Sequence, residues 1–288
     1  MGSAKSAPPF EAVTFLKTIK GNAIARPVGG GQVTVDIPRS GFLARVYLQY
    51  SATIAGSLSA PNAWGVPSVL RGVRVSLNTG TDLVRLSGPG YHYGLRDAID
   101  LGFDPVPQAS RAAVTAATFN QDMVLPIAAN LRDTLGLVNL QAEDTLAQLS
   151  IDFEADATVA TGATVTGSVT PYFDVFEVPE DRRSWPKTLG MYIQTIEDQV
   201  SVPSGADYTY NWPRGGTYIS AQHIFSAGYT RAQLRYQQSG FPLDVDPAGH
   251  LVIANSLTQR DFTLTGTAIT GTNKRIFIDR AKTSGLGM

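Results

Sequence analysis

The chain has 288 residues, of which 43% are hydrophobic and 16% are charged, and its formal net charge is -1. This balance, with no cluster of Lys and Arg, argues against a general polyanion-binding surface, because binding to phosphates needs clustered cations. The sequence has no cysteine, which excludes disulfides, thiol nucleophiles and thiolate metal ligands. Packing and strand pairing alone must therefore hold the fold together.

The N-terminal stretch, residues 1–20, is predicted to be an arm that ends in a strand. Residues 1–9 are small and polar and contain proline, which favours a flexible segment. The stretch FLKTI at 15–19 resembles YIQTI at 192–196, at a shift of 177 residues. This likeness is a first sign that the chain contains an internal repeat.

A stronger repeat involves Asp36 to Ala52, DIPRSGFLARVYLQYSA, which aligns without a gap with Asn211 to Ala227, NWPRGGTYISAQHIFSA, at a shift of 175 residues. In both copies an alternating run predicts a strand, proline and glycine predict a bend, and a second alternating run predicts another strand. The residues shared by the two bends are the candidate structural or interface residues: Pro38, Arg39 and Gly41 in the first copy, and Pro213, Arg214 and Gly216 in the second.

The two halves keep a common pattern after the bend. The strand that follows the first bend is predicted to present one apolar face, made of Phe42, Ala44, Val46, Leu48 and Tyr50. An insertion at 56–67 lowers the shift to about 159, so that VRVSLN at 73–78 corresponds to AQLRYQ at 232–237. The segments at 91–101 and 130–137 are predicted to be short helices.

A charged, proline-flanked stretch at 179–187, PEDRRSWPK, is predicted to link two domains. The predicted organisation is an N-terminal arm at 1–20, a first domain at 21–178, this linker, and a second domain at 188–288. Each half offers about eight short strands with connections of unequal length, which is typical of a jelly roll. The predicted fold class is all-β: two tandem jelly-roll β-sandwich domains, a double jelly roll, with a few short helices.

The sequence presents no complete catalytic or metal-binding pattern. Asp244 and Asp246 could place two carboxylates on one side of a strand for calcium, but a solvated strand face is the favoured interpretation. No catalytic or metal residue and no cofactor is therefore predicted, and the protein is not expected to be an enzyme. The histidines lie far apart and form no metal-ligand motif: His92, His223 and His250.

Two questions stay open at the level of the residues. Arg39 and Arg214 repeat a cation at the same bend, and either contact a neighbouring subunit or domain or support the bend locally. The second question concerns aromatic residues in predicted loops, which either stack on sugars or anchor the loops in apolar surroundings. These aromatic residues are Trp64, Trp185, Tyr91 and Tyr93.

Two successive β-units with IPRSGFL and WPRGGTY at their bends resemble the double jelly-roll major capsid proteins of tectivirus-like bacteriophages, which are tailless icosahedral viruses with an internal membrane. The resemblance covers nearly the whole chain in architecture and length. It implies a structural major capsid protein without enzymatic activity, located in the virion and assembled in the host cytoplasm. It also implies homotrimers that act as pseudo-hexagonal capsomers, because three chains with two similar domains each present six similar flanks.

The same resemblance implies several partners. These are other capsomers in the lattice, other virion proteins at the vertices, and an internal viral membrane that the arm and the tail RAKTSGLGM would face. No sequence-specific binding to nucleic acid is expected. The alternative function is that of a carbohydrate-binding tandem β-sandwich, such as a spike or lectin-like module, and it depends on the loop aromatics and on Asp244 and Asp246.

Overall fold

The computed structural model describes part of the chain and divides it into two compact units, Met1–Gln199 and Val200–Met288. The predicted helix at 91–101 lies outside the described residues, and residues 134–137 of the other predicted helix form a turn. The described residues are 7–56, 59–61, 69–87, 117–129, 134–142, 145–197, 201, 207–211, 220–224, 230–236, 239–246, 248 and 275–279.

The first unit is built mainly of strands. In chain order its elements are α1 (Phe10–Val13), β1 (Leu16–Lys20), β2 (Ile24–Ala25), β3 (Gly31–Asp36), β4 (Phe42–Ala55), β5 (Ser59–Pro61), β6 (Leu70–Leu77), β7 (Asp82–Leu86), β8 (Ala117–Pro126), β9 (Val138–Asn139), β10 (Ala147–Phe153), α2 (Asp156–Val159), β11 (Ala160–Thr161), β12 (Thr164–Phe176), a 3-10 helix at Arg182–Ser184, and β13 (Thr195–Ile196).

Two sheets of the first unit have the strand order of a jelly roll. The first sheet has the order β1-β12-β4-β8, with β2 also paired to β12 and β9 also paired to β4. The second sheet has the order β13-β7-β6-β10-β3. Eight strands remain when β13 and the other strands of two or three residues are set aside: β1, β3, β4, β6, β7, β8, β10 and β12. If these are numbered one to eight along the chain, the first sheet contains strands 1, 8, 3 and 6, and the second sheet contains strands 2, 7, 4 and 5. This arrangement is the double Greek key of an eight-stranded jelly roll.

The interior between the two sheets is apolar and closely packed. Alternation along each strand sends every second side chain inward, as the sequence pattern predicts. Burial of each such side chain contributes about 1.5–3 kcal/mol, so this interior is the main source of stability in a unit that has no disulfide. The largest side chains that are almost fully buried there include Tyr50, Phe153, Phe173, Leu48 and Ile54.

A β-bulge near the start of β4 makes the predicted apolar face wrong at its first two positions. Asp174 of β12 pairs with Arg45, but the next residue of β12 pairs with Leu43, so Ala44 is an extra residue. The extra residue reverses the alternation at this point. Leu43 therefore lies in the main core together with Val46 and every second residue after Val46. Phe42 and Ala44 instead contribute to a second apolar cluster at one end of the unit.

The second apolar cluster joins the N-terminal segment to the chain that follows β12. Phe10 packs edge-on against Phe42 and Phe176, with ring centroids 5.8 and 5.5 Å apart, and Trp185 packs edge-on against Phe42 at 5.5 Å. Further along, β1 pairs antiparallel with β12, which confirms the strand predicted at the end of residues 10–20. The segment at 16–20 is thus part of the first sheet.

The residues after β12 are ordered against the first unit, and we call residues 177–197 the strap. The Trp185 Nε1 donates a hydrogen bond to the carbonyl of Pro179 at 2.9 Å, and the Thr188 hydroxyl donates to the carbonyl of Thr134 at 2.9 Å. The strap ends in β13, which pairs in parallel with β7. The first compact unit therefore extends to Gln199, beyond the stretch predicted as a linker. The predicted domain boundaries stay a prediction.

The described strands of the second unit form two antiparallel pairs. The first pair joins β14 (Ser220–Ile224) to β17 (Arg275–Asp279), and the second joins β15 (Ala232–Tyr236) to β16 (Ser239–Val245). β14 and β15 lie where the internal repeat predicts counterparts of β4 and β6.

The pairing register of these strands confirms the duplication. β14 pairs antiparallel with β17 as β4 pairs with β12: Ala221 lies opposite Ile278 as Val46 lies opposite Phe173, at offsets of 175 and 105 residues. Leu234 pairs with Leu243 at an offset of 159 from Val75 and Val84. The described pairs of the second unit thus repeat the pairing register of the first.

Candidate functional site

The bend at 37–41 carries the chain from the second sheet to the first, because β3 belongs to one and β4 to the other. Ile37 is 1% exposed and anchors the bend in the core, and its amide donates a hydrogen bond to the carbonyl of Ala147 at 2.8 Å. The Ser40 amide then donates to the carbonyl of Pro38 at 2.8 Å, which closes a tight turn. Pro38 itself is exposed. The bend is thus a corner of the sandwich, fixed on its inner side and open to solvent on its outer side.

Gly41 is required by the geometry of this corner for two independent reasons. Its φ angle is 72°, in the left-handed region that residues with a Cβ avoid. A Cβ placed on Gly41 would also overlap the carbonyl oxygen of Phe176 at the end of β12. The Gly41 carbonyl accepts a hydrogen bond from the Leu140 amide at 3.0 Å, which links the corner to the segment after β9.

Arg39 spans from the corner to the loop between β9 and β10. Its Nη2 donates hydrogen bonds to the carbonyls of Ala142 and Thr145, at 3.2 and 3.3 Å. These bonds supply the local support that was one of the two interpretations of this residue. The side chain is nevertheless exposed at the outer surface of the corner. Its role in contacts between copies stays a prediction.

The remaining residues singled out in the sequence are only partly described. Pro213, Arg214 and Gly216 lie outside the described residues, as do His92, His250, Trp64, Tyr91 and Tyr93. The backbone of His223 is in β14, opposite Ile276. Asp244 is in β16, and Asp246 follows it and is exposed. The structure therefore brings together Pro38, Arg39 and Gly41 of the predicted set.

Trp185 is a loop anchor. Besides its contact with Phe42, its ring lies under the guanidinium of Arg182, at 5.3 Å from the ring centroid. Its indole N–H is engaged with the Pro179 carbonyl, so both its apolar body and its polar group have intramolecular partners. Of the two interpretations of the loop aromatics, the structure supports apolar anchoring for Trp185.

A buried ion pair, which the sequence did not reveal, lies at the connection between β2 and β3. The Arg26 side chain is 0% exposed and forms a 2.5 Å contact with Asp156 at the start of α2. The same guanidinium donates to the carbonyls of Glu154 and Val165, at 2.6 and 2.7 Å. It thus ties together the segment after β2, the end of β10 and β12.

The Arg26 guanidinium also acts on the neighbouring core. Burial raises the pKa of the Tyr50 hydroxyl, and the positive charge of Arg26 partly offsets that rise. A buried charge is tolerated only where a counter-ion and hydrogen bonds replace its hydration. No sequence motif signals this pair, because its two members lie on segments far apart in the chain.

Within the described part of the chain, no group of three His, Asp or Glu side chains is placed to hold a metal ion. The helices found there are also too short or too polar to cross a bilayer. The corner at 37–41 and the Arg26 pair are both polar arrangements that join strands.

Comparison with known proteins finds likeness at the level of the fold. No family model matches the sequence, and no curated protein matches it. The crystal structure of the major capsid protein of STIV superposes with a TM-score of 0.67 over 93% of this chain and 85% of the other, at 16% sequence identity. The chain has a double jelly-roll fold. The predicted fold class is therefore confirmed.

Two further double jelly rolls agree with this result. A chain in the atomic structure of Sulfolobus Turreted Icosahedral Virus matches with a TM-score of 0.58, at 14% identity, over 94% of this chain and 80% of the other. The major capsid protein P2 from Bacteriophage PM2 matches with a TM-score of 0.51, at 12% identity, over 93% and 84%. At these identities the likeness is one of fold.

Proposed function

We propose that this protein is a structural major capsid protein, whose copies form trimeric, pseudo-hexagonal capsomers of an icosahedral shell. The observation that supports it most is the duplication: a complete eight-stranded roll is followed by a unit that repeats its pairing register. Three chains with two similar units each present six similar flanks, so a trimer can occupy a site of hexagonal packing. The shared fold with viral major capsid proteins supports the same proposal.

The proposal extends to location and partners. The protein resides in the virion, assembles in the host cytoplasm, and binds other copies of itself, vertex proteins and an internal membrane. It has no enzymatic activity and binds no specific nucleic-acid sequence. The similar structures come from a Sulfolobus virus and from a bacteriophage, and the proposal therefore concerns the capsid role and leaves the host open.

The first prediction concerns the state of association. Under conditions that permit assembly, native mass spectrometry is expected to detect a species of three times the 30.7 kDa chain mass, and electron microscopy is expected to show hexagonal arrays or closed shells. Dilution should shift the species towards monomer by mass action. A monomer that persists at high concentration under these conditions would contradict the proposal.

The second prediction concerns Arg39 as a contact between neighbouring flanks. Arg39→Ala removes the exposed hydrogen bonds to the carbonyls of Ala142 and Thr145, and it is expected to change the free energy of unfolding by about 1 kcal/mol or less. Trimer formation is expected to weaken at least tenfold, as measured by sedimentation over a concentration series. Arg183→Ala, at an exposed arginine of the strap, is the control and should leave both quantities unchanged.

The outcome for Arg39→Ala separates the two roles of the side chain. Weaker association with near-normal stability supports the contact between copies. A loss of stability with unchanged association would leave only the local support of the corner.

A further inference from the structure

The outer face of the first sheet is flat and largely exposed. Its middle strands β12 and β4 and its edge strand β8 lie side by side, so their outward residues form rows across the strands. Short polar side chains make up two neighbouring rows: Thr118, Thr53 and Thr166 in one, and Asn120, Ser51 and Ser168 in the other. Side chains of this size allow another flat surface to approach closely.

Two tyrosines lie at the centre of the same face. Tyr47 of β4 is paired with Tyr172 of β12, and both side chains are half-buried. The Tyr47 hydroxyl accepts a hydrogen bond from Arg45 Nη1 at 2.8 Å, and the Tyr172 hydroxyl donates to Gln49 Oε1 at 3.3 Å. Rings that are already held in place lose little conformational entropy when they are covered, and tyrosine is enriched at the centres of protein interfaces.

The two edges of this face carry charges of opposite sign. Lys20 of β1 lies in the same row as the two tyrosines, and Asp122 of β8 lies one row away. Both side chains are exposed, and neither has an ion-pair partner in the described part of the chain. Since β1 and β8 are the outermost strands of the order β1-β12-β4-β8, the two charges are separated by the width of the sheet.

The outer face of the second sheet has a different character. Arg74 pairs directly with Arg85 across β6 and β7, and Asp82 forms ion pairs with both of them. Arg71 and Asp152 form another ion pair on the same sheet. These charges are already engaged within the unit. The first sheet is therefore the face whose charges suit a contact with another copy.

We propose that the outer face of the first sheet binds the same face of a second copy, about a two-fold axis parallel to the strands. This axis places β1 over β8 of the second copy and β12 over β4 of the second copy. Lys20 then lies close to Asp122 of the second copy, and the symmetry repeats this ion pair at the other edge. Tyr47 lies over Tyr172 of the second copy, close to the axis.

The face is large enough for a specific contact. Four strands at the usual spacing are roughly 19 Å wide. The 10 residues of β8 have a length of roughly 33 Å. Such a face covers roughly 600 Å² on each copy, so a pair buries about 1,200 Å² in total, at the lower end of stable interfaces. This contact is separate from that of the proposed trimer and does not depend on the capsid function.

Charge reversal at the two edges tests the arrangement. Lys20→Asp and Asp122→Lys each place like charges together at both edges of a pair. Each is expected to weaken the species with even numbers of chains at least tenfold, as measured by sedimentation at low salt. An equimolar mixture of the two variants restores opposite charges at both edges of a mixed pair, and it should associate like the wild type.

Two controls match these substitutions in charge. Glu180→Lys and Lys187→Asp change exposed residues of the strap, outside this face, and should leave association unchanged. Thermal unfolding of all four variants should match that of the wild type, which shows that the fold is retained.

A cross-link gives a second measurement, because the chain has no cysteine of its own. A short bismaleimide should join Lys20→Cys chains to Asp122→Cys chains in a mixture. It should not join the chains of either variant alone, because two copies of the same position lie at opposite edges of the pair.

Wild-type protein that forms no even-numbered species would overturn the proposal. So would single variants that associate as strongly as the wild type, or a mixture that associates no better than its components. Recovery in the mixture without any species of three chains would support this contact and contradict the trimer. A trimer without recovery in the mixture would contradict this contact alone.

Discussion

Replacement of Asp156 by alanine is expected to lower the free energy of unfolding of the first unit by about 3–5 kcal/mol. The substitution leaves the Arg26 guanidinium, whose side chain is 0% exposed, without its carboxylate partner. The hydrogen bonds to the Glu154 and Val165 carbonyls remain, but they do not neutralise the charge. Chemical denaturation followed by tryptophan fluorescence measures the loss, in a background with Trp64 and Trp212 replaced by Phe so that Trp185 is the reporter.

Arg26→Met offers a sharper form of the same test. Methionine fills a similar volume without a charge, and the remaining Asp156 is partly exposed, so its carboxylate keeps some hydration. The loss is expected to be smaller than that of Asp156→Ala, and the double variant is expected to be more stable than Asp156→Ala alone. That order of stabilities would identify the unpaired buried charge of Arg26 as the cause of the loss in Asp156→Ala.

The control for this pair is the exposed ion pair of Asp181 with Arg183, whose closest atoms are 2.8 Å apart. Asp181→Ala removes a carboxylate with similarly short contacts at a more exposed position, and its loss of stability should be limited to the cap hydrogen bond from the Arg183 amide, well below the loss in Asp156→Ala. If Asp156→Ala cost no more than this, the Arg26 pair would have no structural role. If Arg26→Met cost more than Asp156→Ala, lost packing and hydrogen bonds would outweigh the unpaired charge.

Gly41→Ala is the second substitution with a large expected effect, a loss of about 3–4 kcal/mol of unfolding free energy. One part of the loss is the left-handed backbone at a φ of 72°. The other part is the overlap of the new Cβ with the Phe176 carbonyl, which forces the corner away from the end of β12. Thermal and chemical unfolding of the purified variant measure the sum.

Gly80→Ala separates the two parts. Gly80 has a φ of 82°, but a Cβ added there meets no atom within 4 Å. The loss of unfolding free energy in Gly80→Ala should be limited to the strain of the left-handed backbone, about 1–2 kcal/mol. Equal losses at the two glycines would show that the contact with Phe176 is relieved at little cost, and the corner would then be more adaptable than its geometry indicates.

Much of the fold was predictable because the internal repeat and the period of two along the strands can both be read directly from the sequence. The repeated bend gave the duplication, and the matching of Leu234 and Leu243 with Val75 and Val84 confirmed it at the level of individual pairs. The bulge at Ala44 was not predicted, because an extra residue in one strand leaves no mark in the composition of the sequence. The alternation counted from Phe42 was therefore wrong at Phe42 and Ala44, and it agreed with the core from Val46 onward.

The site was less predictable than the fold. Pro38 and Gly41 could be assigned to a bend from their backbone preferences alone, but the carbonyls that Arg39 binds lie on a loop more than 100 residues later. The partners of Arg26 are similarly remote, and an arginine between two strands is usually exposed. Long-range polar partners are set by the final packing of the sheets, and a single sequence carries no periodic signal for them.

The offsets between the paired strands also bear on how the molecule can be altered. The offset is the difference in residue number between a strand of the second unit and its counterpart in the first. It falls from 175 at β4 to 159 at β6 and β7, and to 105 at β12, while the pairing register stays the same. The changes in length between these described pairs therefore lie outside the paired residues. The connection between β4 and β6 is accordingly a rational place to graft a foreign peptide for display, since natural variation in length at this point has left the paired strands undisturbed.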